Sequence, residues 1–310
     1  MKSKIYDVII VGAGPAGISA AIFAARRELK TLVVSKDLGG QAALSPMIEN
    51  YPGFEKISGA ELAVQMEKQA KNFGVEFIYE NVSSVNQSED KKFSVKTDEG
   101  EYNGTAVILA FGKIPRELKV PGEQQFRGKG VSYCANCDAP MFKNKTVAVI
   151  GGGDSALDAA HYLAQIAKKV YLVHRRDEFR GAESRVLKLK SMKNVEFVLS
   201  ATVKEFKGDR LLRTAVIENL KTGSASDLAV EGAFVEVGWE FDTMLTKGFV
   251  DIDELGRVII NYVGETSRQG IFAAGDVTNV PYKQITVAVG QGAIAALQAY
   301  NYIHNFSTKH

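Results

Sequence analysis

The sequence predicts an α/β fold with two dinucleotide-binding domains, each built around a parallel sheet. Two observations indicate it: a glycine-rich turn follows a short apolar strand near residue 12, and the same arrangement recurs near residue 151. The length of 310 residues favours two domains, and the 45% hydrophobic and 24% charged residues are typical of a globular protein. Two such turns in one chain imply two bound dinucleotides.

The first glycine-rich turn lies between a predicted buried strand and a helix. The apolar run Asp7–Val11 predicts the strand, and Gly12–Gly17 (GAGPAG) leads into the helical stretch ISAAIFAARREL. Gly12 allows the tight turn, Gly14 lets the backbone approach a pyrophosphate, and Gly17 lets the helix pack closely on the strand. Because the helix N-terminus then faces the anion, this unit is predicted to bind a dinucleotide.

The second glycine-rich turn repeats this pattern. Thr146–Ile150 predicts the strand, Gly151–Ala156 (GGGDSA) fits the GxGxxA form of the fingerprint, and LDAAHYLAQIA predicts the helix. Val170–Val173 predicts the strand that follows, so the second unit has the same strand, turn, helix and strand as the first.

The two units differ in charge at the end of their second strand, where an acidic residue binds a free ribose. In the first unit Ser35 and Lys36 stand at this point, with Asp37 next. In the second unit the run His174–Arg176 stands there, and Arg180 follows on the next loop. Arginine accommodates a 2′-phosphate because its planar fork pairs with phosphate oxygens, so the second unit is predicted to bind a 2′-phosphorylated dinucleotide.

The remaining segments are assigned from periodicity and turn residues. Ile57–Phe73 predicts an amphipathic helix capped by Ser58, with Glu61 three residues later. Most of Val195–Val237 reads as short β-strands. The other predictions are loops at Gly39–Gln41 and Glu49–Gly53, linkers at Ile114–Gly122 and Trp239–Lys247, strands at Ala106–Gly112, Val258–Asn261 and Ile271–Ala274, and a helix at Thr286–Tyr302.

The only two cysteines, Cys134 and Cys137, lie between the first linker and the second glycine turn. Their spacing brings both sulfurs within disulfide reach and lowers the pKa of one thiol, but a metal site, a structural staple and a redox pair share it. Zinc needs four ligands, and the four histidines show no paired ligand spacing, so no metal site is predicted. A structural disulfide across so short a loop adds little stability, and a chain this long can bury a sufficient core without one. A redox pair is therefore favoured.

Charge and apolar runs limit the classes of partner. The net charge of +2 argues against a nucleic-acid partner, and no apolar run is long enough to span a membrane. The N-terminal stretch MKSKIYDVIIVGAGPAG has a basic flank but no long apolar region with a cleavage site, so it predicts a first strand rather than a signal peptide. We expect a cytoplasmic protein.

These motifs together resemble the low-molecular-weight thioredoxin reductases of bacteria and archaea, a family of flavoprotein disulfide reductases. The resemblance covers nearly the whole chain and keeps the motif order GAGPAG, GGQ, IENYPGF, CxxCD, GGGDSA, HRRDEFR and AAGDV. The CxxC just before the second glycine turn is its most specific feature, because other flavin disulfide reductases carry their cysteines near the N-terminus.

The resemblance implies two Rossmann-like three-layer domains and a homodimer. An NADPH-binding domain (residues 116–244, with the CxxC) is inserted into a discontinuous FAD-binding domain (residues 1–115 and 245–310). The implied FAD-binding residues are Gly12, Gly14, Pro15, Ala16, Gly17, Gly40, Gln41, Asn50, Ala110, Gly112, Gly275, Asp276, Lys283 and Gln284. The implied NADPH-binding residues are Gly151, Gly153, Asp154, Ser155, Ala156, His174, Arg175, Arg176 and Arg180.

The resemblance also implies the electron path, from NADPH to FAD, then to the Cys134–Cys137 disulfide and finally to the disulfide of a thioredoxin-like protein. In this path Cys137 faces the flavin, Cys134 attacks the partner, and Asp138 serves as acid and base for the thiolates. Since one fixed arrangement cannot serve both exchanges, we expect domain rotation about the two linkers.

Two positions depart from the family pattern, and two other functions stay open. Trp239–Asp242 (WEFD) lacks the proline of the usual turn, and Lys283 replaces the commoner arginine, which keeps the charge but loses the fork. The alternatives are a reductase of a glutaredoxin-like or peroxiredoxin-linked protein disulfide, and a flavin redox sensor without turnover.

Overall fold

The computed structural model describes residues 5–88 and 92–307, with side chains through Asn305. The chain divides into two compact units, the first of Met1–Ile114 with Glu240–His310 and the second of Pro115–Trp239. The ends predicted for the first domain, residues 1 and 310, lie outside the described residues. Assignment of each unit to one cofactor stays a prediction.

The described residues form seven α-helices and seventeen β-strands. The helices are α1 (Pro15–Ala25), α2 (Gly40–Ala43), α3 (Gly59–Asn72), α4 (Ala135–Asp138), α5 (Asp154–Ala164), α6 (Glu183–Lys190) and α7 (Ile285–Ser307). The strands are β1 (Ile5–Ala13), β2 (Thr31–Leu38), β3 (Glu76–Ile78), β4 (Val82–Gln87), β5 (Phe93–Thr97), β6 (Glu101–Leu109), β7 (Ile114–Pro115), β8 (Val131–Ser132), β9 (Thr146–Ile150), β10 (Lys169–Val173), β11 (Val195–Val198), β12 (Ala201–Gly208), β13 (Leu212–Asn219), β14 (Ala225–Ala229), β15 (Gly232–Val235), β16 (Trp239–Glu240) and β17 (Ile271–Ala273).

The first unit is built on a seven-stranded sheet of order β3-β2-β1-β6-β5-β4, in which β17 also pairs with β6. The strands β1, β2, β3, β6 and β17 pair in parallel, and β5 is antiparallel to both neighbours. Alternate side chains of β1 pack into hydrophobic cores on the two faces of the sheet, because successive residues of a strand point to opposite sides. Val8 and Ile10 pack against α1, α3 and α7, whereas Ile9 and Val11 pack with Leu245 in the core of the other face.

The second unit has three layers. A parallel sheet of order β11-β10-β9-β15-β8 forms the middle, and β12, β13 and β14 form a separate antiparallel sheet. On one face of the middle sheet Val149 and Phe234 pack with residues of α4 and α5, and on the other Ala148 and Ala233 pack against β12 and β13. The predicted α/β class with parallel-strand sheets is confirmed.

The observed divisions lie one and five residues before the predicted bounds at 115/116 and 244/245. The second difference has a local cause, since Thr246 and Lys247 donate backbone hydrogen bonds to Thr243 O at 3.2 and 2.8 Å. The turn they close buries Leu245 in the first unit. Nearby, Asp242 Oδ1 accepts the Met244 N–H at 3.0 Å, so this segment closes a turn without the proline of the family pattern.

Two local predictions are wrong. The predicted loop at Gly39–Gln41 contains the start of helix α2, because Gly39 adopts a φ of +82° that lets the backbone turn into it. The predicted strand Val258–Asn261 does not form, since Val258 makes only isolated bridges. Asn261 instead closes a turn through its side-chain oxygen, which accepts the N–H groups of Val263 and Glu265 at 3.1 and 3.0 Å.

In the described part of the chain no helix is both long and apolar enough to cross a membrane. The longest, α7, packs along α1 through small residues, and a Cβ on Gly292 would lie 2.1 Å from Ala16 O. Ser19 Oγ of α1 donates to Val289 O of α7 at 2.7 Å, which ties the two helices together next to the first glycine turn.

The predicted cap of helix α3 is confirmed, and it supports a stability prediction. Ser58 Oγ accepts the Glu61 N–H at 3.2 Å and satisfies one of the free donors of the first turn. Ser58→Ala should lower the free energy of unfolding of the first unit by about 1 kcal/mol in urea titrations, whereas Ser58→Asp, which keeps an acceptor, should not. Equal stability of the alanine variant and the wild type would contradict the capping role.

Candidate functional site

The two cysteines form a disulfide at the start of helix α4, in the second unit. Their Cα atoms lie 5.3 Å apart. The N–H groups of Cys137 and Asp138 both donate to Cys134 O at 3.1 Å, which closes the turn. Cys137 is exposed and Cys134 is half-buried. The paired, accessible sulfurs suit a redox pair, because a bridge over two intervening residues constrains the unfolded chain little.

Asp138 is held on the inner side of this redox turn (Cys134–Asp138). The residue is 9% exposed, and its Oδ2 accepts a hydrogen bond from Ser132 Oγ at 2.7 Å. Ser132 Oγ in turn accepts the Cys134 N–H at 3.1 Å. Ser132 thus connects the predicted acid and base to the backbone of the first cysteine, and nothing in the sequence pattern had singled it out.

A second carboxylate reaches the redox turn from a distant part of the chain. Glu236 follows β15, and its Oε1 accepts the Ala135 N–H at 3.4 Å. The two residues are 101 positions apart, so no local sequence pattern relates them. Two acidic side chains, Asp138 and Glu236, therefore contact this turn.

The first glycine turn has the backbone geometry that the sequence predicts. Gly12 has a φ of +110°, and a Cβ there would lie 2.5 Å from Ala110 O. A Cβ on Gly17 would lie 1.9 Å from Gly12 O, whereas a Cβ on Gly14 would meet nothing within 4 Å. Gly14 thus opens onto free space at the N-terminus of α1, where backbone N–H groups lack intrahelical partners, and this cradle fits a pyrophosphate.

The second glycine turn has the same division of roles. A Cβ on Gly151 would lie 2.3 Å from Glu236 O, and a Cβ on Gly153 would meet nothing within 4 Å. Ala156 is fully buried in α5, and Ser155 is exposed beside the open glycine. The N-terminus of α5 therefore also offers a cradle for a phosphate group.

The three predicted phosphate-binding arginines are exposed near this turn. Arg175 and Arg176 come after β10 and His174, and the Arg180 N–H donates to Gly152 O at 2.9 Å. Among the described residues none of the three pairs with a carboxylate. Their guanidinium groups are thus available to an anionic ligand bound at the turn.

His174, predicted among the nucleotide contacts, points into the protein. It is 5% exposed, its Nε2–H donates to Glu178 O at 3.1 Å, and its ring stacks on Phe179 with centroids 5.1 Å apart. A Cβ on Gly152 would lie 2.1 Å from His174 Cε1, so the ring lies directly beneath the glycine turn. Burial, together with the neighbouring arginines, lowers the pKa of His174.

This lowered pKa predicts acid sensitivity of the second unit. The unfolded chain takes up a proton near the ordinary histidine pKa of about 6.5, while the folded chain resists it, so stability falls as the pH drops below that value. His174→Gln keeps an N–H donor for Glu178 O but cannot titrate. We expect a smaller fall in melting temperature between pH 7 and pH 5.5 for this variant, and parallel curves would contradict the assignment.

The Asp154 carboxylate stabilises the loop that carries Arg180. Its Oδ1 accepts the Ala182 N–H at 3.0 Å, and Arg185 pairs with both Asp154 and Asp158. The Ala182 N–H and Arg185 hold the pKa of Asp154 below its usual range. Sequence reasoning missed Arg185, which lies on α6 with no motif around it.

Residues predicted near a flavin come together in the first unit from distant parts of the chain. Asn50 Nδ2 donates to Gln284 Oε1 at 3.2 Å across 234 positions. Asp276 Oδ2 lies 3.5 Å from Lys113 Nζ, and Lys283 Nζ donates to Thr278 O at 2.7 Å. Burial lowers the pKa of Lys283 to about 8, an effect that Asp276 opposes.

The other predicted residues of the first unit surround its glycine turn. A Cβ on Gly275 would lie 2.8 Å from Ala16 Cβ, and one on Gly40 would lie 3.8 Å from Gly14 Cα. Pro15 is the first residue of α1, Gln41 is exposed, and Gly112 faces open space.

Comparison with known proteins identifies the family. Residues 6–292 match the model of the pyridine nucleotide-disulphide oxidoreductases. The chain belongs to this family. A thioredoxin reductase of Peptoclostridium acidaminophilum is 40% identical over 311 residues, which cover 97% of this chain and 98% of the relative.

Two further relatives agree with this membership. A bifunctional thioredoxin reductase/thioredoxin of Mycobacterium leprae (strain TN) is 41% identical over 303 residues, 96% of this chain and 66% of the relative. The crystal structure of thioredoxin reductase from Streptococcus pyogenes MGAS5005 superposes with a TM-score of 0.92 at 41% identity, covering 97% of this chain and 99% of that one. The predicted enzyme class, a disulfide oxidoreductase with FAD and NADPH as cofactors, is thereby confirmed.

Proposed function

We propose that this protein is a thioredoxin reductase, which passes electrons from NADPH through FAD and the Cys134–Cys137 pair to the disulfide of thioredoxin. One observation carries the proposal: the redox disulfide lies on the same unit as a glycine turn flanked by three exposed arginines. The relatives support thioredoxin as the partner, because the Mycobacterium leprae relative is named for both a reductase and a thioredoxin.

The first unit is proposed to hold FAD, which when bound supplies a two-electron relay between a nicotinamide and a disulfide. The open backbone at Gly14 and the free N–H groups that begin α1 would bind its pyrophosphate. The Asp276 carboxylate would accept hydrogen bonds from hydroxyl groups of its sugar chain. The linked amides of Asn50 and Gln284 would lie near its ring.

The second unit is proposed to hold NADPH. Its pyrophosphate would lie on the N-terminus of α5 at Gly153, and the guanidinium groups of Arg175, Arg176 and Arg180 would bind the 2′-phosphate. Asp154 and His174 act one step back from the ligand, because each bonds to the loop that carries the arginines: exposed Asp154 accepts the Ala182 N–H, and buried His174 donates to Glu178 O.

The thiol chemistry belongs to the redox turn. The Cys134 thiolate attacks a sulfur of the thioredoxin disulfide, forming a mixed disulfide and releasing a thioredoxin thiolate. Cys137, as a thiolate, then attacks Cys134 Sγ, which re-forms the enzyme disulfide and releases thioredoxin as a dithiol. Asp138, fastened by Ser132, takes the Cys137 proton and returns it to the leaving thiolate.

The proposal also includes domain rotation, a homodimer and a cytoplasmic location. The redox turn must exchange electrons first with FAD and then with a bulky protein disulfide, which a single arrangement of the units cannot serve. A cytoplasmic location gives the enzyme access to NADPH and keeps its product thiols reduced.

Steady-state NADPH oxidation tests the proposed function. The purified holoenzyme should oxidise NADPH rapidly when oxidised thioredoxin is added, and slowly without it. Faster turnover with a glutaredoxin-like or peroxiredoxin-linked disulfide would reassign the partner. The absence of turnover with all three would contradict a reductase and leave a redox sensor.

A further inference from the structure

Glu236 lies between the second glycine turn and the redox turn. It directly follows β15, the strand that runs between β9 and β8. Its backbone N–H donates to Ile150 O at 2.8 Å, just before the glycine turn. Its carbonyl oxygen would be only 2.3 Å from a Cβ on Gly151. The main chain of Glu236 is therefore fixed against the strand and turn that begin the nucleotide site.

The side chain of Glu236 extends from this fixed backbone to the redox turn. Its Oε1 accepts the N–H of Ala135, the first residue of α4 and a buried one. Because Ala135 N is bonded directly to Cys134, the carboxylate lies beside the residue that carries the attacking sulfur. Glu236 is itself half-buried, so solvent screens its charge only in part.

A negative charge at this position acts on the two redox states differently. The disulfide is uncharged, whereas the dithiol formed by two electrons and two protons can ionise. A neighbouring carboxylate disfavours a thiolate, so it raises the thiol pKa and destabilises the reduced state. A destabilised dithiol is a stronger reductant.

We propose that Glu236 is a positioning residue of the redox pair: its carboxylate holds the first turn of α4 and keeps the Cys134–Cys137 couple strongly reducing. The inference rests on the proposed function, in which this pair cycles between disulfide and dithiol. It adds a residue that the glycine, arginine and cysteine motifs do not contain.

Other titratable groups lie on α4 and on the helix that packs against it. Asp138 lies on α4 itself and bonds to Ser132 Oγ. On α5, the helix that packs against α4, Asp154 and Asp158 pair with Arg185, and the side chain of His161 is partly buried. All of these groups stay in place in the variants below, so a difference between variants reports the side chain at position 236.

Three variants of the holoenzyme separate charge from hydrogen bond. Glu236→Gln keeps an oxygen for the Ala135 N–H but removes the charge, and Glu236→Ala removes both. Glu231→Gln makes the same change near the opposite end of β15, where the Glu231 carboxylate accepts the Thr146 N–H instead. Glu231→Gln is therefore the matched control.

Thiol ionisation is the first readout. The reduced enzymes are alkylated with iodoacetamide between pH 5 and pH 10, and the modified cysteine is located by fragment mass spectrometry. The pKa of Cys134 should fall by about one unit in both Glu236 variants. The alkylation rate at pH 7 should rise about threefold, since lower intrinsic nucleophilicity offsets part of the gain in thiolate. Glu231→Gln should match the wild type.

Two further readouts complete the test. In equilibrium with a glutathione buffer, both Glu236 variants should shift towards the dithiol, and this shift should grow towards about tenfold as the pH rises above the thiol pKa. Hydrogen exchange at the Ala135 amide should accelerate in Glu236→Ala only. Wild-type thiol pKa and equilibrium in Glu236→Gln, or an equal shift in Glu231→Gln, would overturn the inference. The proposed function would be untouched by that result, because it stands or falls on thioredoxin-dependent turnover.

Discussion

Cys134→Ser should lower thioredoxin-dependent NADPH oxidation by at least about 10³-fold in kcat, the largest effect expected for any single substitution in this chain. Serine cannot form the mixed disulfide with thioredoxin, and it cannot close the bridge to Cys137. Cys137→Ser should cause a similar loss, because the remaining thiol would trap thioredoxin without releasing it.

A small artificial electron acceptor provides the control for these two variants. Ferricyanide accepts electrons without a dithiol, so NADPH–ferricyanide turnover should stay within about twofold of the wild type. A twofold change is well below the tenfold change in rate that corresponds to about 1.4 kcal/mol of activation free energy. Retained thioredoxin-dependent activity in Cys134→Ser would show that the dithiol relay is wrong. Loss of both activities would point instead to a misfolded or cofactor-free protein, which the flavin absorbance would reveal.

Arg175→Gln and Arg176→Gln should each weaken NADPH binding by about 1.5–3 kcal/mol, the range for hydrogen bonds to charged groups. This corresponds to roughly a 10-fold to 150-fold increase in Kd. Binding of NADH should barely change, because NADH lacks the 2′-phosphate that the exposed guanidinium groups are proposed to bind. The quantity that these substitutions should change is the selectivity for NADPH over NADH, rather than the activity itself.

Titration of both nucleotides into each variant checks this prediction. Arg210→Gln serves as the matched control, since Arg210 is an exposed arginine of the same unit away from the glycine turn. It should leave both dissociation constants unchanged. Equal losses for NADPH and NADH in Arg175→Gln and Arg176→Gln would contradict a 2′-phosphate site at these residues.

The features that the sequence predicted well are those governed by neighbouring residues. Gly12 and Gly151 need positive φ angles within a strand–turn–helix unit, and this requirement appears directly in the order of residue types. The cap at Ser58 spans three positions and could be identified in the same way. The two cysteines are three positions apart, so the disulfide reach of their sulfurs could also be predicted from local spacing.

The features that it missed depend on contacts between distant segments. The Glu236–Ala135 contact spans 101 positions, and only the pairing of β15 with β8 and β9 brings the two segments together. The inward position of His174 could not be read from the basic run around it, because the run does not show which side chains face the glycine turn. The apolar pattern at Val258 suggested a strand, but the turn closed by Asn261 ends the pairing there.

An anaerobic thiol count tests the electron path most directly. The holoenzyme is mixed with excess NADPH, either alone or followed by oxidised thioredoxin, and is then alkylated. Its mass is measured by mass spectrometry. We expect Cys134 and Cys137 to be alkylated together after NADPH alone, and to return to an unmodified disulfide when thioredoxin is added, as two thiols appear on thioredoxin. NADPH oxidation and thioredoxin reduction with the Cys134–Cys137 disulfide intact throughout would contradict the proposed path.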